Sequence, residues 1–295
     1  ANIDFEQKLD FLLKGLRFKA LFSYKNYNKT TTSRSQGINR YTLTGYTQNA
    51  DGSYSLNISP FGSSNPSKPV LSTTSSVAGD RRIYFQSYVD YMNKFGNHNV
   101  SGMLLWNIDQ YDNNAPGNLV ASLPRRKMGF AGRLSYDYDN RYMFEVNAGY
   151  NGSENFAKGH KWGFFPSVAV GWNVSQENFF EPLKDVISNL KLRASYGLVG
   201  NDQLLDSSGG LIRFIYMSDI TLQSENAGFT TGDKQQITLN GPVYTRYQNN
   251  DLTWEVGEKL NVGFDMQLFN SLNVTVDAFR EIRRDIFQQR YSIPN

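Results

Sequence analysis

The sequence contains no cysteine, only two histidines and no long apolar run. Without cysteine, this sequence has no disulfides, no thiolate metal sites and no cysteine nucleophiles. A helix that crosses a bilayer needs about 20 apolar residues, so no helical membrane span is predicted. Positive and negative charges are interspersed and sum to +3, which indicates no patch for nucleic acid.

Aromatic residues are abundant, with 18 tyrosines and 20 phenylalanines, and apolar residues recur at every second position. The segment 128–138 alternates apolar and polar residues, and after a break at 139–141 the segment 142–150 does the same. Successive strand residues point to opposite faces, so these segments predict a hairpin with one apolar and one polar face. Strands of globular proteins usually run about 5–6 residues, whereas strands that cross a bilayer need about 9–11. The lengths therefore indicate a membrane barrel.

Nine such strands are predicted, and the connections between them fall into two length classes. The short ones lie at 95–98, 139–141 and 269–271, the long ones at 28–80, 110–125, 151–163 and 200–252, and 175–188 is intermediate. Outer-membrane barrels have short periplasmic turns and long extracellular loops, a segregation that a soluble β-sandwich has no reason to show. The predicted fold class is therefore all-β, a transmembrane antiparallel β-barrel. An odd number of strands indicates part of a larger barrel.

Two segments are predicted to be helical. Residues 1–15 place apolar side chains on one side of a short amphipathic helix that ends at Gly15. Residues 177–188 are predicted to form a helical turn or a short helix between two strands. The long segments 28–80 and 200–252 are predicted to be largely irregular, with strand-like pieces at 41–44 and 54–58.

An ordered set of short motifs lies between residues 130 and 265. It comprises FAGRLSY at 130–136, DNRY at 139–142, GS at 152–153, KWGFFPS at 161–167, GW at 171–172, LKLRASYG at 190–197, GND at 200–202, LTWE at 252–255 and NVGFD at 261–265. In order and spacing, this set resembles the SusC/RagA family of TonB-dependent outer-membrane transporters.

The resemblance implies a barrel of about 22 strands whose lumen is filled by an N-terminal plug. In that family the plug carries the segment that engages TonB, and a SusD-like surface lipoprotein covers the barrel as a lid. Residues 1–295 would form part of the barrel domain, without the plug, the TonB-engaging segment or the final strands. The expected location is the outer membrane of a Gram-negative bacterium, where outer-membrane lipids surround the barrel.

The function that the resemblance implies is TonB-dependent import of a bulky nutrient, an oligosaccharide or a peptide, with no cofactor and no enzymatic step. The alternative is a plugless porin or adhesin barrel with a passive or binding role. A barrel-embedded enzyme would need a Ser/His or Asp/His pair within one loop cluster, and two histidines support this poorly. A soluble β-rich binding protein would need no belt of apolar side chains.

Site residues are expected on both faces of the barrel wall. Four charged residues are predicted to face the lumen: Arg133, Glu145, Arg193 and Asp265. Six residues are predicted to face lipid: Phe130, Leu134, Val168, Val170, Trp172 and Leu192. Substrate-binding candidates lie where loops meet the extracellular mouth: Asp109, Tyr111, Asp112, Trp162, Asn201 and Asp202.

Each of these assignments has a simpler alternative. The lumen charges could merely pair with charges on neighbouring strands, and Trp162 could be an aromatic anchor at the membrane interface. The oxygen-rich stretch 109–114 could bind calcium, or it could be a solvated loop. No metal site is predicted, because His98 and His160 fall on opposite sides of the predicted membrane.

Overall fold

A computed structural model describes residues 1–36, 40–61, 71–117, 119–205 and 209–288. The strands are β1 (Asn2–Lys8), β2 (Leu16–Gln36), β3 (Tyr41–Gln48), β4 (Tyr54–Pro60), β5 (Leu71–Phe95), β6 (His98–Asn113), β7 (Arg125–Tyr138), β8 (Tyr142–Ser153), β9 (Trp162–Asn173), β10 (Ile187–Asn201), β11 (Leu204–Leu205), β12 (Leu211–Ile212), β13 (Asp219–Thr231), β14 (Ile237–Arg246), β15 (Glu255–Leu268) and β16 (Leu272–Arg284). A short helix, α1 (Leu119–Ser122), and two 3-10 helices, Val174–Gln176 and Asn178–Leu183, complete the secondary structure.

Ten strands form one antiparallel sheet in the order β1-β2-β5-β6-β7-β8-β9-β10-β15-β16. Three separate two-stranded pairs, β3–β4, β11–β12 and β13–β14, lie in the long connections at one end of this sheet. The short turns lie at the other end. This confirms the predicted all-β, antiparallel architecture and the segregation of long and short connections.

The strand register keeps apolar residues together on one face of the sheet. Tyr136 lies opposite Phe144, which in turn lies opposite Val170 on β9. Arg133 lies opposite Asn147, and both belong to the other face. Directly opposed residues share a face, so the alternation read from single segments continues across the whole sheet.

Aromatic residues border the apolar face at both ends. Tyr138 stacks with Tyr142 near the short turns, with ring centroids 6.4 Å apart. At the other end Tyr150 stacks with Trp162, with centroids 4.7 Å apart. The strand path from Tyr142 to Tyr150 covers about 27 Å, which matches an outward apolar band of about 25 Å flanked by aromatic girdles.

The predicted helix over residues 1–15 is wrong. Residues 2–8 form β1, and each of them pairs with a residue of β2. Ile3 and Phe5 alternate with Asp4 and Glu6, a period of two that suits a strand, and pairing with β2 decides the outcome. The sheet therefore has ten strands instead of nine. Gly15, predicted to end the helix, adopts φ +89° in the turn to β2.

The largely irregular structure predicted for 28–80 is also wrong. The β2–β5 ladder runs without a break from Leu16 opposite Tyr91 to Gln36 opposite Leu71. The pieces at 41–44 and 54–58 do form strands, β3 and β4. Residues 200–252 likewise contain the β13–β14 hairpin. The helical turn predicted over 177–188 is confirmed by the 3-10 helix at Asn178–Leu183.

No helix among the residues that the structure describes is both long and apolar enough to cross a bilayer.

Candidate binding site at the lumen mouth

The polar face of the sheet carries charges that are largely paired between strands. Arg193 contacts Asp265 at 3.2 Å and Asp277 at 2.8 Å, one on each of the next two strands. Glu145 accepts hydrogen bonds from Ser135 and Asn147, each at 2.8 Å. All six side chains are on the face opposite the apolar band. For Arg193 and Asp265, the simpler alternative of pairing between neighbouring strands is the one the structure shows.

Two of the substrate-binding candidates lie on the polar face near the end with long connections. Asp109 accepts two hydrogen bonds from Arg82, at 2.8 and 2.7 Å. The guanidinium of Arg125 lies over the ring of Tyr111, with Cζ 5.0 Å from the centroid. Asp109 and Tyr111 are therefore held in place by neighbouring cations at the rim of the polar face.

Two other candidates lie on the outward face of the sheet. Asp112 is on the opposite face of β6 from Tyr111 and pairs with Arg81 at 3.0 Å. Trp162 is on the apolar face, where it lies opposite Gly152 and stacks on Tyr150. The physical reason is the two-residue period of a strand, which sends adjacent side chains to opposite faces. For Trp162, this position fits the alternative of an interfacial anchor.

Asp202 is the centre of a buried polar cluster beside the mouth. Its carboxylate accepts from the ammonium of Lys127 at 2.7 Å and from the Ser153 hydroxyl at 2.7 Å. Its backbone carbonyl accepts from the Asn155 side chain at 2.9 Å. The residue is only 7% exposed. These contacts join β7, the end of β8, the loop after it and the end of β10.

A small hydrophobic cluster lies next to these contacts and is built on Phe156, Ile215 and Trp254. Phe165 packs edge-on against Trp254 with centroids 5.2 Å apart. The Trp254 indole N–H donates to the carbonyl of Lys161 at 3.2 Å. The cluster joins the loop after β8, β9, the loop between β12 and β13, and the segment before β15.

Glycine at two positions lets Phe165 lie against the sheet. A Cβ atom on Gly163 or Gly200 would collide with the Phe165 ring. Gly163 belongs to the sequence motif KWGFFPS, and Gly200 belongs to GND. The motifs GS, KWGFFPS, GND and LTWE, far apart in the sequence, therefore meet at one place and fasten the long connections to the end of the barrel wall.

A recess of about 260 Å³ opens beside this cluster. Its floor is apolar, and polar side chains border it: Asn201, Asp202, Asp251, Thr253, Glu255, Asp285 and Gln288. Asn201 donates to Glu255 at 3.1 Å. Asp251 and Asp285 form no ion pair within the residues that the structure describes. A polar ligand with an apolar face would find hydrogen-bonding groups at the rim and contact area on the floor.

Arg213 joins two of the long connections, and sequence reasoning missed it. Its guanidinium donates to the carbonyls of Val120, Leu123 and Pro124 at 2.8, 2.8 and 3.0 Å. Burial and the nearby Arg125 cation lower the pKa of Arg213. Arg213 lies in a long connection and outside every motif found in the sequence, so no sequence pattern indicated its role. Trp254, by contrast, belonged to the LTWE motif and could have been singled out.

Histidine and carboxylate side chains do not gather into a metal site within the described ranges, where no three of them are close enough to share an ion. The carboxylates at the stretch 109–114 are instead engaged by arginines, as Asp109 and Asp112 show.

A long antiparallel sheet with an apolar outer face, two aromatic borders and a polar inner face is the wall of a transmembrane β-barrel. The sequence matches the family model described as TonB dependent receptor-like, beta-barrel, over residues 1–295. The chain belongs to this family of outer-membrane β-barrel proteins.

Curated relatives share this assignment. The TonB-dependent receptor P3 of Formosa agariphila is 29% identical over 230 residues, which is 70% of this chain and 22% of the relative. The TonB-dependent receptor SusC of Bacteroides thetaiotaomicron is 33% identical over 143 residues, 48% of this chain and 13% of the relative. Both relatives are named as TonB-dependent receptors. The chain thus spans less than a quarter of their length.

Solved structures share the fold. The RagAB peptide importer in its closed-closed state superposes with a TM-score of 0.63 at 17% identity, covering 96% of this chain and 29% of the other. A second structure of the RagAB peptide transporter gives a TM-score of 0.61 at 18% identity, covering 90% of this chain and 28% of the other.

Proposed function

We propose that this chain is part of a TonB-dependent transporter that imports a bulky nutrient, an oligosaccharide or a peptide, across the outer membrane. The proposal rests on the polar inner face of the sheet and on the long connections that are attached at one end of it. Such a face solvates a passing substrate, and the fastened connections form its entrance. The related proteins named as TonB-dependent receptors and as a peptide importer support the same function.

The proposed partners follow from that function. A SusD-like lipoprotein would cover the mouth, and the TonB complex would act through a plug outside residues 1–295. The rest of the barrel would close the wall, so this chain alone would enclose no lumen. Outer-membrane lipids would surround the apolar face. No step of this import breaks a bond in the substrate.

Within this function, we assign the first substrate contacts to the rim of the mouth. Asp109, Tyr111 and Asn201 face the polar side and lie where the long connections begin. Asp202 is buried under the same rim, so its role is to position the contacts around it. Arg133 and Glu145 lie deeper on the inner face. Asp112 and Trp162 lie on the outward face and are left out of this set.

Energy dependence is the property that separates this proposal from a passive porin. The full-length protein would be expressed with its lipoprotein in a host lacking related transporters, and uptake of labelled oligosaccharide and peptide mixtures would be followed. Import is expected to stop when the proton-motive force is collapsed or TonB is deleted. Uptake that continues at the same rate after either treatment would contradict the proposal and favour a plugless porin.

The assignment of Asn201 to the substrate contacts at the mouth needs a separate test. Asn201→Ala removes the amide that donates to Glu255, and Gln48→Ala removes an exposed amide on β3 as a matched control. Substrate binding to the purified complex is expected to weaken with Asn201→Ala only. Equal binding by both variants would exclude Asn201 from the substrate contacts and leave the transport proposal intact.

A further inference from the structure

The β2–β5 pair extends beyond the strand that follows it in the sheet. β5 pairs with β6 only as far as Asp80 opposite Asn113, whereas its pairing with β2 continues to Leu71. Above Asp80 the pair is a two-stranded ribbon, and residues 71–78 of β5 are all exposed. Strand pairing therefore stops on the β6 side of β5 while β5 itself continues.

The unpaired side of β5 is defined by the direction of its backbone groups. The Gly79 carbonyl accepts from the N–H of Asn114, the residue after β6, at 2.9 Å. In an antiparallel strand both backbone groups of a residue point to the same neighbour, and successive residues alternate between the two neighbours. Thr73, Ser75 and Val77 therefore direct their N–H and C=O groups away from β2. We call these three residues the free edge of β5, because they have no backbone partner among the residues that the structure describes.

This edge lacks the features that usually protect an exposed strand. Natural sheets block exposed edges with charged side chains, proline or a β-bulge. Residues 71–79 contain no charged residue and no proline. Their ladder with β2 has no register shift, so β5 stays regular up to Leu71. The free edge can therefore pair with another extended polypeptide, whereas an oligosaccharide has no backbone of alternating N–H and C=O groups.

The β5 side chains that face the mouth are small and uncharged in this ribbon. Steps of two residues from Arg82, which lies opposite Tyr111 on the polar face, reach Ser72, Thr74, Ser76 and Ala78. A stable protein partner needs aromatic or apolar anchors at the centre of its interface, and these residues offer none. In strand addition the main chain provides affinity, and side-chain pockets provide specificity. The ribbon therefore suits a peptide of variable sequence better than a strand of the lipoprotein.

We infer that the free edge of β5 takes up an extended peptide as an added strand. The peptide would pair with Thr73, Ser75 and Val77, in the place that β6 leaves after Asn113. That place adjoins the rim of the mouth, since Tyr111 lies two residues before the end of β6. The inference rests on the import function proposed above and narrows its substrate to peptides, which are held by their backbone.

Two proline substitutions at one level of the ribbon test this inference. Ser75→Pro removes an N–H of the free edge and breaks no bond to β2, because that N–H points away from β2. Thr32→Pro is the matched control, since Thr32 lies directly opposite Ser75. Tyr24 exchanges backbone hydrogen bonds with Ala1, so the even-numbered residues of β2 point to the other edge of the ribbon.

The measurement is the binding of a fluorescent, uncharged ten-residue peptide to the full-length protein purified with its lipoprotein. Ser75→Pro is expected to weaken binding about tenfold, because one hydrogen bond is lost and the proline ring collides with the added strand. Thr32→Pro should bind the peptide as the wild type does. The same peptide N-methylated at each central residue should bind the wild type weakly. Heat-dependent gel migration, which reports folded barrel, shows that each variant has folded.

Three results would overturn the inference. The first is equal peptide binding by Ser75→Pro and Thr32→Pro, and the second is equal binding of the parent and N-methylated peptides. The third is release of the lipoprotein by Ser75→Pro, which would assign the free edge to that partner. Binding in detergent needs no TonB, so a failure of the import proposal would appear only in the uptake experiment described above.

Discussion

Strands β8 and β9 within the membrane and the upper half of the β2–β5 pair above it share the same antiparallel hydrogen-bond ladder but differ in their side chains. In β8, Phe144 and Val146 alternate with Glu145 and Asn147, because lipid lies on one side and the lumen on the other. In the upper part of β2, Thr30, Thr31 and Thr32 follow one another without alternation. Water lies on both sides there, so nothing selects a period of two.

The comparison teaches how each region is held together. The membrane wall needs no large core, since lipid covers one face and ion pairs cross the other. The extracellular connections depend on a few buried contacts, and Phe156, Ile215 and Trp254 form the one hydrophobic cluster found among the described residues. The two regions should therefore respond to different kinds of substitution, and the following predictions run from the largest effect to the smallest.

Loss of Trp254 should disturb the extracellular region most. Trp254→Ala removes a ring packed against Phe156 and Phe165, and truncation of a buried aromatic costs about 3–5 kcal/mol. The extracellular connections should become sensitive to added protease while the membrane strands stay protected. Leu222→Ala, at a residue 73% exposed on the β13–β14 hairpin, is the control and should change cleavage little. Unchanged cleavage in Trp254→Ala would show that the cluster does not hold these connections.

A charge on the apolar face should destabilise the wall. Val170→Arg places a cation among Phe144 and neighbouring apolar residues, with an expected cost of about 2–4 kcal/mol near the bilayer midplane. Ala169→Arg, one residue away, faces the lumen opposite Glu145 and should be tolerated. Urea unfolding of the full-length protein in lipid vesicles measures both. Equal stability of the two variants would contradict the assignment of faces on β9.

Replacement of two ion-paired carboxylates should lower the stability by different amounts, because the two are buried to different extents. Asp202→Asn breaks the pair with Lys127 at a residue 7% exposed, for an expected loss of about 1–2 kcal/mol. Asp112→Asn breaks a pair with Arg81 in which the carboxylate is 16% exposed, and this should cost less, about 0.2–1 kcal/mol. Thermal unfolding followed by gel migration compares them. A larger effect for Asp112 would reverse the order that burial predicts.

The smallest expected effect is a pH dependence of stability that comes from Glu177 at the periplasmic end of the wall. The Tyr142 hydroxyl and the Trp172 indole donate to Glu177 at 2.6 and 3.1 Å and lower the pKa of that carboxyl. Because the folded-state pKa is depressed, the stabilisation is present above the unfolded-state pKa of about 4.3 and is lost as pH falls through the folded-state value. Glu177→Gln should remove this part of the pH dependence. An identical pH profile in wild type and variant would mean that these hydrogen bonds contribute nothing.

The sequence predicted the fold of the wall well because lipid and lumen impose alternation on each strand. All six residues predicted to face lipid, Phe130, Leu134, Val168, Val170, Trp172 and Leu192, share one face in the strand register. The extensions of β2 and β5 were missed because threonine and serine on both faces carry no period. Residues 1–8 were misassigned because the partner strand, and not the local pattern, decides their conformation.

The site was less accessible to sequence reasoning. Asn201 and Asp202 lie at the end of β10, where a long connection begins, and their part in substrate binding stays a prediction. The contact between Asp202 and Lys127 joins residues 75 positions apart, and no local pattern encodes such a distance. Arg213 is tied to the segment 120–124 by backbone carbonyls alone, which any sequence would supply. Motifs that meet in space, such as KWGFFPS and LTWE, could be recognised singly but not as one cluster.

The account rests on which face of the strands meets lipid, and a cysteine scan of β9 tests this directly. Single cysteines from Ser167 to Trp172 would be introduced into the full-length protein without other cysteines and spin-labelled in lipid vesicles. Collision rates with oxygen, which dissolves in lipid, would then be measured at each position. The account predicts high rates at 168, 170 and 172 and low rates at 167, 169 and 171. Rates without a two-residue period, or with the opposite phase, would contradict it.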